Sequence, residues 1–198
     1  MTLVLASQSA SRRALLAAAA VPHEAVAPGV DEEAAKAGLR EQGVDARGLA
    51  DALAEFKALR LSGRRPGDLV LGCDQVLALE DGTLFDKAAD RDEARIQLAC
   101  LRGATHRLIS AAVICEGGAP VWRHIDIAKL TIRDFSDDFL ERYLDSEWPA
   151  VAGCVGCYRL EAKGVQLFSR IDGSHFTILG LPMLQLLDYL RLRGVLTS

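Results

Sequence analysis

The chain opens on an apolar run, Leu3-Val4-Leu5, which gives way to alternating serines at Ser7, Ser9 and Ser11 and then to an Ala- and Leu-rich stretch from Arg12 to Ala20. That order predicts a buried strand, a hydroxyl-rich turn and a helix with Ser11 as its N-cap. Residues 21–30, with Pro22, Pro28 and Gly29, read as a connection able to hold an extended segment. Asp31-Glu32-Glu33 then opens a second helical stretch, broken around Gly38 and Gly43, and a third helix is predicted from Ala46 to Ser62. After a turn over residues 63–68, the run from Leu69 to Leu79 is almost uniformly apolar, the pattern of a strand covered on both faces. Asp74 sits in its middle.

The second half alternates less regularly. A turn at residues 80–83 is followed by Lys87 and a helix from about Asp90 to Leu101. Arg107 to Cys115 and Val121 to Ile132 read as two strands of a hairpin turning at Glu116-Gly117-Gly118-Ala119-Pro120. Ser136 caps a helix to Leu144, and strands are predicted at Tyr158 to Leu160 and Val165 to Ile171, around Lys163-Gly164. Gly180-Leu181-Pro182 heads a last helix from Met183 to Arg193, where proline is well tolerated. Strands and helices mix without strict βαβ alternation, which predicts an α/β fold with a mixed central sheet flanked by helices, in one domain over residues 1–198.

Composition narrows the partners. Half of the 198 residues are apolar, a quarter are charged, and the net charge is −4. A general nucleic-acid binder needs a clustered positive surface, so no nucleic-acid partner is expected. No apolar run approaches the roughly 20 residues that span a bilayer, and the first strand is too short for a signal peptide, so a cytoplasmic protein without a membrane partner is expected. Five cysteines, Cys73, Cys100, Cys115, Cys154 and Cys157, have no framework spacing and read as reduced thiols filling the core. The C-x-x-C pair Cys154/Cys157 lacks the second pair or histidine that a zinc site needs.

Two features point to chemistry. Arg12 and Arg13 would lie at a helix start, where unpaired N–H groups and guanidinium forks suit a phosphate, although this turn lacks the P-loop pattern and equally describes a polar cap with solvated arginines. Asp74 is harder to set aside, because an ionised group inside an apolar strand is costly unless paired or metal-bound. With Glu32, Glu33, Lys57 and Lys87, these residues form the mixture of cations and carboxylates that a triphosphate with a divalent ion requires. Taken singly, Lys57 reads as a helix face and Glu32 and Glu33 as favourable first-turn charges. His106 reads as a structural hydrogen-bonding residue, since no nucleophile is patterned with it.

Together the motifs resemble the Maf (septum formation inhibitor) family of nucleoside triphosphate pyrophosphatases over nearly the whole chain. The matching residues are Leu5-Ala6-Ser7-Gln8-Ser9 with Arg12-Arg13, Val30-Asp31-Glu32, Leu53-Ala54 with Lys57-Ala58, Gly72-Cys73-Asp74-Gln75-Val76, Lys87 with Glu93-Ala94, Leu101, Gly103 and His106, Gly156 and Tyr158, and Gly180-Leu181-Pro182. The resemblance implies hydrolysis of a nucleoside triphosphate to the monophosphate and pyrophosphate, in an elongated fold with a ligand cleft between two lobes. It implies Asp74 as proton acceptor, with Arg13, Lys57 and Lys87 acting on the phosphates. Ser7, Ser9, Ser11 and Arg12 would bind substrate, and Glu32 and Asp74 would hold Mg²⁺ or Mn²⁺. A homodimer is implied as well. Gln75 and Glu161 place the chain nearer the 7-methyl-GTP branch, since a carboxylate accepts from a purine edge and offsets its positive ring. Ser11 replaces that branch's tryptophan, Ala10 replaces a proline, and Asp86 and Ala88 flank Lys87 unlike the usual Gly-Lys-Pro, so that Asp86 could pair with Lys87. The rival reading is a non-catalytic nucleotide-binding regulator of cell division.

Overall fold

The computed structural model describes residues 2–197. In chain order the elements are β1 (Leu3–Ala6), α1 (Ala10–Ala18), β2 (His23–Val26), α2 (Glu32–Glu41), α3 (Ala46–Ser62), β3 (Leu69–Leu79), β4 (Leu84–Phe85), α4 (Arg91–Leu101), β5 (Thr105–Glu116), β6 (Ala119–Ile132) and α5 (Asp137–Glu147). A 3₁₀ turn (Lys163–Leu167), β7 (Phe168–Asp172), α6 (His175–Ile178) and α7 (Met183–Leu192) complete the chain. The strands form one seven-stranded sheet in the order β2-β1-β3-β5-β6-β7, with β4 paired to β3. It is mixed as expected: β1 runs parallel to β2 and β3, whereas β4 and β7 pair antiparallel. No helix among the described residues is long and apolar enough to cross a membrane.

By its contacts the chain divides into two compact units. The first comprises Met1–Gln75, Ile109–Asp126 and Ser174–Ser198, and the second Val76–Leu108 and Ile127–Gly173. The first unit's core is legible from the strand period. Leu69, Leu71 and Cys73 lie on one face of β3 and join Leu3, Leu5 and Leu16, with Leu186 and Leu190 of α7, in one buried cluster. Residues Gly72 and Asp74 share the opposite face, where α3 lies. A Cβ on Gly72 would stand 2.0 Å from the Ala54 carbonyl oxygen, so only glycine lets α3 approach this closely. The hairpin of β5 and β6 turns on Gly117 and Gly118, whose φ values of 56° and 84° suit the two-residue turn that matches strand twist.

The structure departs from the sequence reading at four places. The N-cap of α1 is Ser9, not Ser11, because it is the Ser9 hydroxyl that accepts the Arg12 N–H. Helix α2 continues unbroken through Gly38, since an Asp31 cap, two first-turn acids and a last-turn Arg40 offset one glycine's propensity cost. Residues 158–160 are coil rather than strand: Tyr158 is buried by its ring and tethered through its hydroxyl to His106. The apolar run at 165–171 splits into the 3₁₀ turn and the edge strand β7.

Candidate active site

The central group of the first unit is Asp74. Its Oδ1 lies 2.6 Å from Lys57 Nζ, and the same ammonium lies 3.0 Å from Glu32 Oε2. Asp74 and Lys57 side chains are only 7% and 6% exposed, while Glu32 is 36% exposed. Each arrives for a local reason. Gly72 seats α3 against β3, which brings Lys57 over Asp74. Asp31 caps α2 by accepting the Ala34 N–H, which fixes Glu32 as the first helical residue. Asp74 Oδ2 is buried with no hydrogen-bond partner among the described residues. A buried carboxylate oxygen left in that state is a costly arrangement that a donor or a cation would relieve.

Arg12 supplies the second unusual charge. It is 9% exposed, and its guanidinium donates through Nε to the Gly180 carbonyl at 2.8 Å and through Nη1 to the Cys73 carbonyl at 3.1 Å and Ser7 Oγ at 3.4 Å. All of these acceptors are neutral, and no carboxylate pairs with Arg12 among the described residues. The serines surround this cation in a chain: Ser7 Oγ accepts from the Ser9 N–H at 3.2 Å, and the Ser9 and Ser11 hydroxyls are 2.9 Å apart. Arg13 is exposed on the next position of α1. A buried cation met only by dipoles, at a helix start lined with hydroxyls, favours an anion.

Gln75 follows Asp74 in β3 and so points to the opposite face. Its Nε2 lies within hydrogen-bonding distance of three acceptors, Ser110 Oγ at 2.9 Å, the Thr177 carbonyl at 2.9 Å and the Ile178 carbonyl at 3.0 Å. Two of these are carbonyls that can only accept, so the carboxamide must turn its nitrogen toward them. Gln75 thereby satisfies carbonyls at the end of α6, and its oxygen is the atom left for any ligand. Ser110, itself donating to the Thr177 carbonyl at 2.8 Å, and Thr177, whose hydroxyl donates to Asp126, were not singled out by sequence. Ser110 carried a readable signal, a polar residue inside an apolar strand, of the kind that flags Asp74.

In the second unit Lys87 and Glu161 are both exposed. Lys87 forms no ion pair among the described residues, so the pairing with Asp86 that the sequence allowed does not occur. His106 Nε2 and Tyr158 Oη are 2.7 Å apart, and burial pushes the imidazole down to about 4, which keeps it neutral and structural as expected. Burial pushes the Cys73 thiol up to about 11 and the Cys157 thiol up to about 12, so neither supplies a thiolate near neutral pH. No three His, Cys, Asp or Glu side chains group as metal ligands among the described residues. Glu32 and Asp74 nevertheless fit a hard divalent ion, which commonly takes one or two carboxylates and completes its shell with water and phosphate oxygens. The unpartnered Asp74 Oδ2 leaves this carboxylate with capacity for a further group.

The family model described as Maf-like protein matches residues 2–193. A nucleoside triphosphate pyrophosphatase of Caulobacter vibrioides is 55% identical over 98% of this chain and 96% of its own. One of Hyphomonas neptunium is 53% identical over 100% and 99%, and one of Roseobacter denitrificans 49% identical over 97% and 96%. With residues 2–193 accounted for by one family model and relatives about half identical over nearly the whole chain, the chain belongs to the Maf-like family.

Proposed function

We propose that this protein hydrolyses a nucleoside triphosphate to the monophosphate and pyrophosphate with the help of a divalent cation, in a single catalytic domain. The observation that carries the reading is the buried Asp74 carboxylate, oriented by Lys57 through one oxygen and, among the described residues, left unpartnered at the other. The names of the relatives supply the reaction class. Asp74 Oδ2 takes a proton from water as the water oxygen attacks the α-phosphorus; the bond from that phosphorus to the bridging oxygen breaks, and pyrophosphate leaves. Lys57 holds Asp74 in one rotamer and offsets part of the charge of the two carboxylates beside it. Arg12, which no carboxylate among the described residues neutralises, draws the phosphates to the serine turn, and Arg13 and Lys87 offset charge on the transferring group. Mg²⁺ or Mn²⁺, held by Asp74 and Glu32, would polarise the phosphate oxygens.

The nucleotide we propose is a modified purine of the 7-methyl-GTP kind. Gln75 can present only its oxygen, and Glu161 is also an acceptor, which suits a guanine edge bearing N–H donors rather than a uracil or thymine edge. A cytoplasmic homodimer completes the reading. Its test is release of pyrophosphate from a panel of nucleoside triphosphates with Mg²⁺ or Mn²⁺, and its abolition by a chelator. Binding without turnover of any nucleotide would overturn the enzymatic reading in favour of a regulator, and light scattering decides the dimer.

A further inference from the structure

Lys87 lies on coil between β4 and α4, yet the backbone is tied on both sides of it. Gln97, 6% exposed on α4, donates through Nε2 to the Asp86 carbonyl at 3.1 Å and to Glu93 Oε1 at 3.2 Å. Glu93, one helical turn earlier on the same face, accepts the Ala89 N–H through Oε2 at 2.8 Å. The fully buried Cys157 gives its S–H to Gln97 Oε1 at 3.6 Å, which holds the Gln97 carboxamide in turn. Glu93 is fixed in turn, because Asp90 caps the helix by accepting the Glu93 N–H at 2.8 Å.

These bonds close on one another. The Asp86 carbonyl fixes which end of the Gln97 carboxamide is nitrogen, and that leaves its oxygen to meet the thiol. The two main-chain ties land on Asp86 and Ala89, so the short stretch they enclose is the one that carries Lys87. Lys87 is exposed and ion-paired to nothing among the described residues. A lysine ammonium is flexible and strongly hydrated, and it binds a phosphate well only where its stem begins from a fixed point.

We propose that Glu93, Gln97 and Cys157 are positioning residues for Lys87, holding the backbone of residues 86–89 so that its ammonium meets the triphosphate already ordered. This rests on the reading of Lys87 as a phosphate ligand. Gln97 is the test position, because Met replaces it at similar volume while removing every hydrogen bond. Gln97→Met should raise the KM for the preferred nucleoside triphosphate about three- to tenfold, the size expected for lost buried hydrogen bonds. In a Lys87→Ala background the same change should leave KM and kcat where Lys87→Ala alone puts them, although denaturant midpoints shift equally in both backgrounds. If Gln97→Met does not fold, Glu93→Gln, which sets an amide nitrogen against Gln97 Nε2 or the Ala89 N–H, carries the same cycle. Equal losses with and without Lys87 would mean that these residues only stabilise the fold, and would overturn the proposal, as would an unchanged KM. A wild-type protein that turns over no nucleotide would overturn the pyrophosphatase reading itself. An active enzyme indifferent to Lys87→Ala would overturn only the role given to that loop.

Discussion

Lys57 approaches one oxygen of Asp74 to 2.6 Å and leaves the other without a partner among the described residues. The carboxylate is therefore oriented without being saturated, the state in which a side chain can take a proton or a metal ion. Asn at this position keeps the shape and loses the charge. Asp74→Asn should leave the fold intact by circular dichroism and lower pyrophosphate release by roughly 10²–10⁴-fold, the usual cost of losing a general base. Near-normal turnover would remove Asp74 from the chemistry.

The same pair makes a stability prediction. Removing the ammonium strands a charge in the core, so Lys57→Met should destabilise the protein by about 3–5 kcal/mol in urea denaturation near neutral pH. Adding Asp74→Asn removes the stranded charge, and the double variant should recover most of that loss. If the two effects simply add, the ion pair is not the reason these residues are buried together.

Much of this arrangement was legible beforehand, and what was not has identifiable physical causes. Asp74 announced itself because an apolar strand gives a carboxylate no ordinary reason to be there. Lys57 stood out only as a member of the set, since taken singly a lysine in a helix looks solvated until a residue without a Cβ, Gly72, lets that helix settle on the strand. The serine turn read as a phosphate site, but Ser9 and Ser11 are two residues apart with the same hydroxyl, and only the backbone at Ser9, φ −60° and ψ 122°, decides which one caps. Tyr158 was misread as part of a strand because burial by a side-chain hydrogen bond leaves the same apolar trace as burial in a sheet. The Gln75 contacts join β3 to a carbonyl 102 residues away, a pairing that no local pattern announces.

Base selection should follow from acceptor chemistry. The purified enzyme should hydrolyse 7-methyl-GTP in preference to dTTP and UTP at matched metal and pH, and Glu161→Gln should erode that preference by roughly 1–3 kcal/mol, as for one good base-edge contact. Because Ser11 offers no ring for stacking, the preference should be shallower than an aromatic there would give. Faster turnover of dTTP or UTP by the wild type would refute the assignment and leave the pyrophosphatase reading standing.

The His106 imidazole gives the stability an acid limb. It is buried against Tyr158 and Phe168, its Nε2 is engaged by Tyr158 Oη, and its Nδ1 has no partner among the described residues, so burial pushes its protonation down to about 4 from the ordinary 6.5. Between those values the unfolded chain holds a proton that the folded chain does not, and stability therefore rises with pH across that window and is lost as pH falls through it. At 1.36 kcal/mol per unit, the full contribution is about 3 kcal/mol, present above pH 6.5 and exhausted near pH 4. Urea midpoints measured from pH 7.5 down to 4.5 should fall more steeply for the wild type than for His106→Gln, which can still bond to the Tyr158 hydroxyl but cannot titrate. Parallel curves for the two proteins would show that His106 is protonated as readily in the folded state as in the unfolded one.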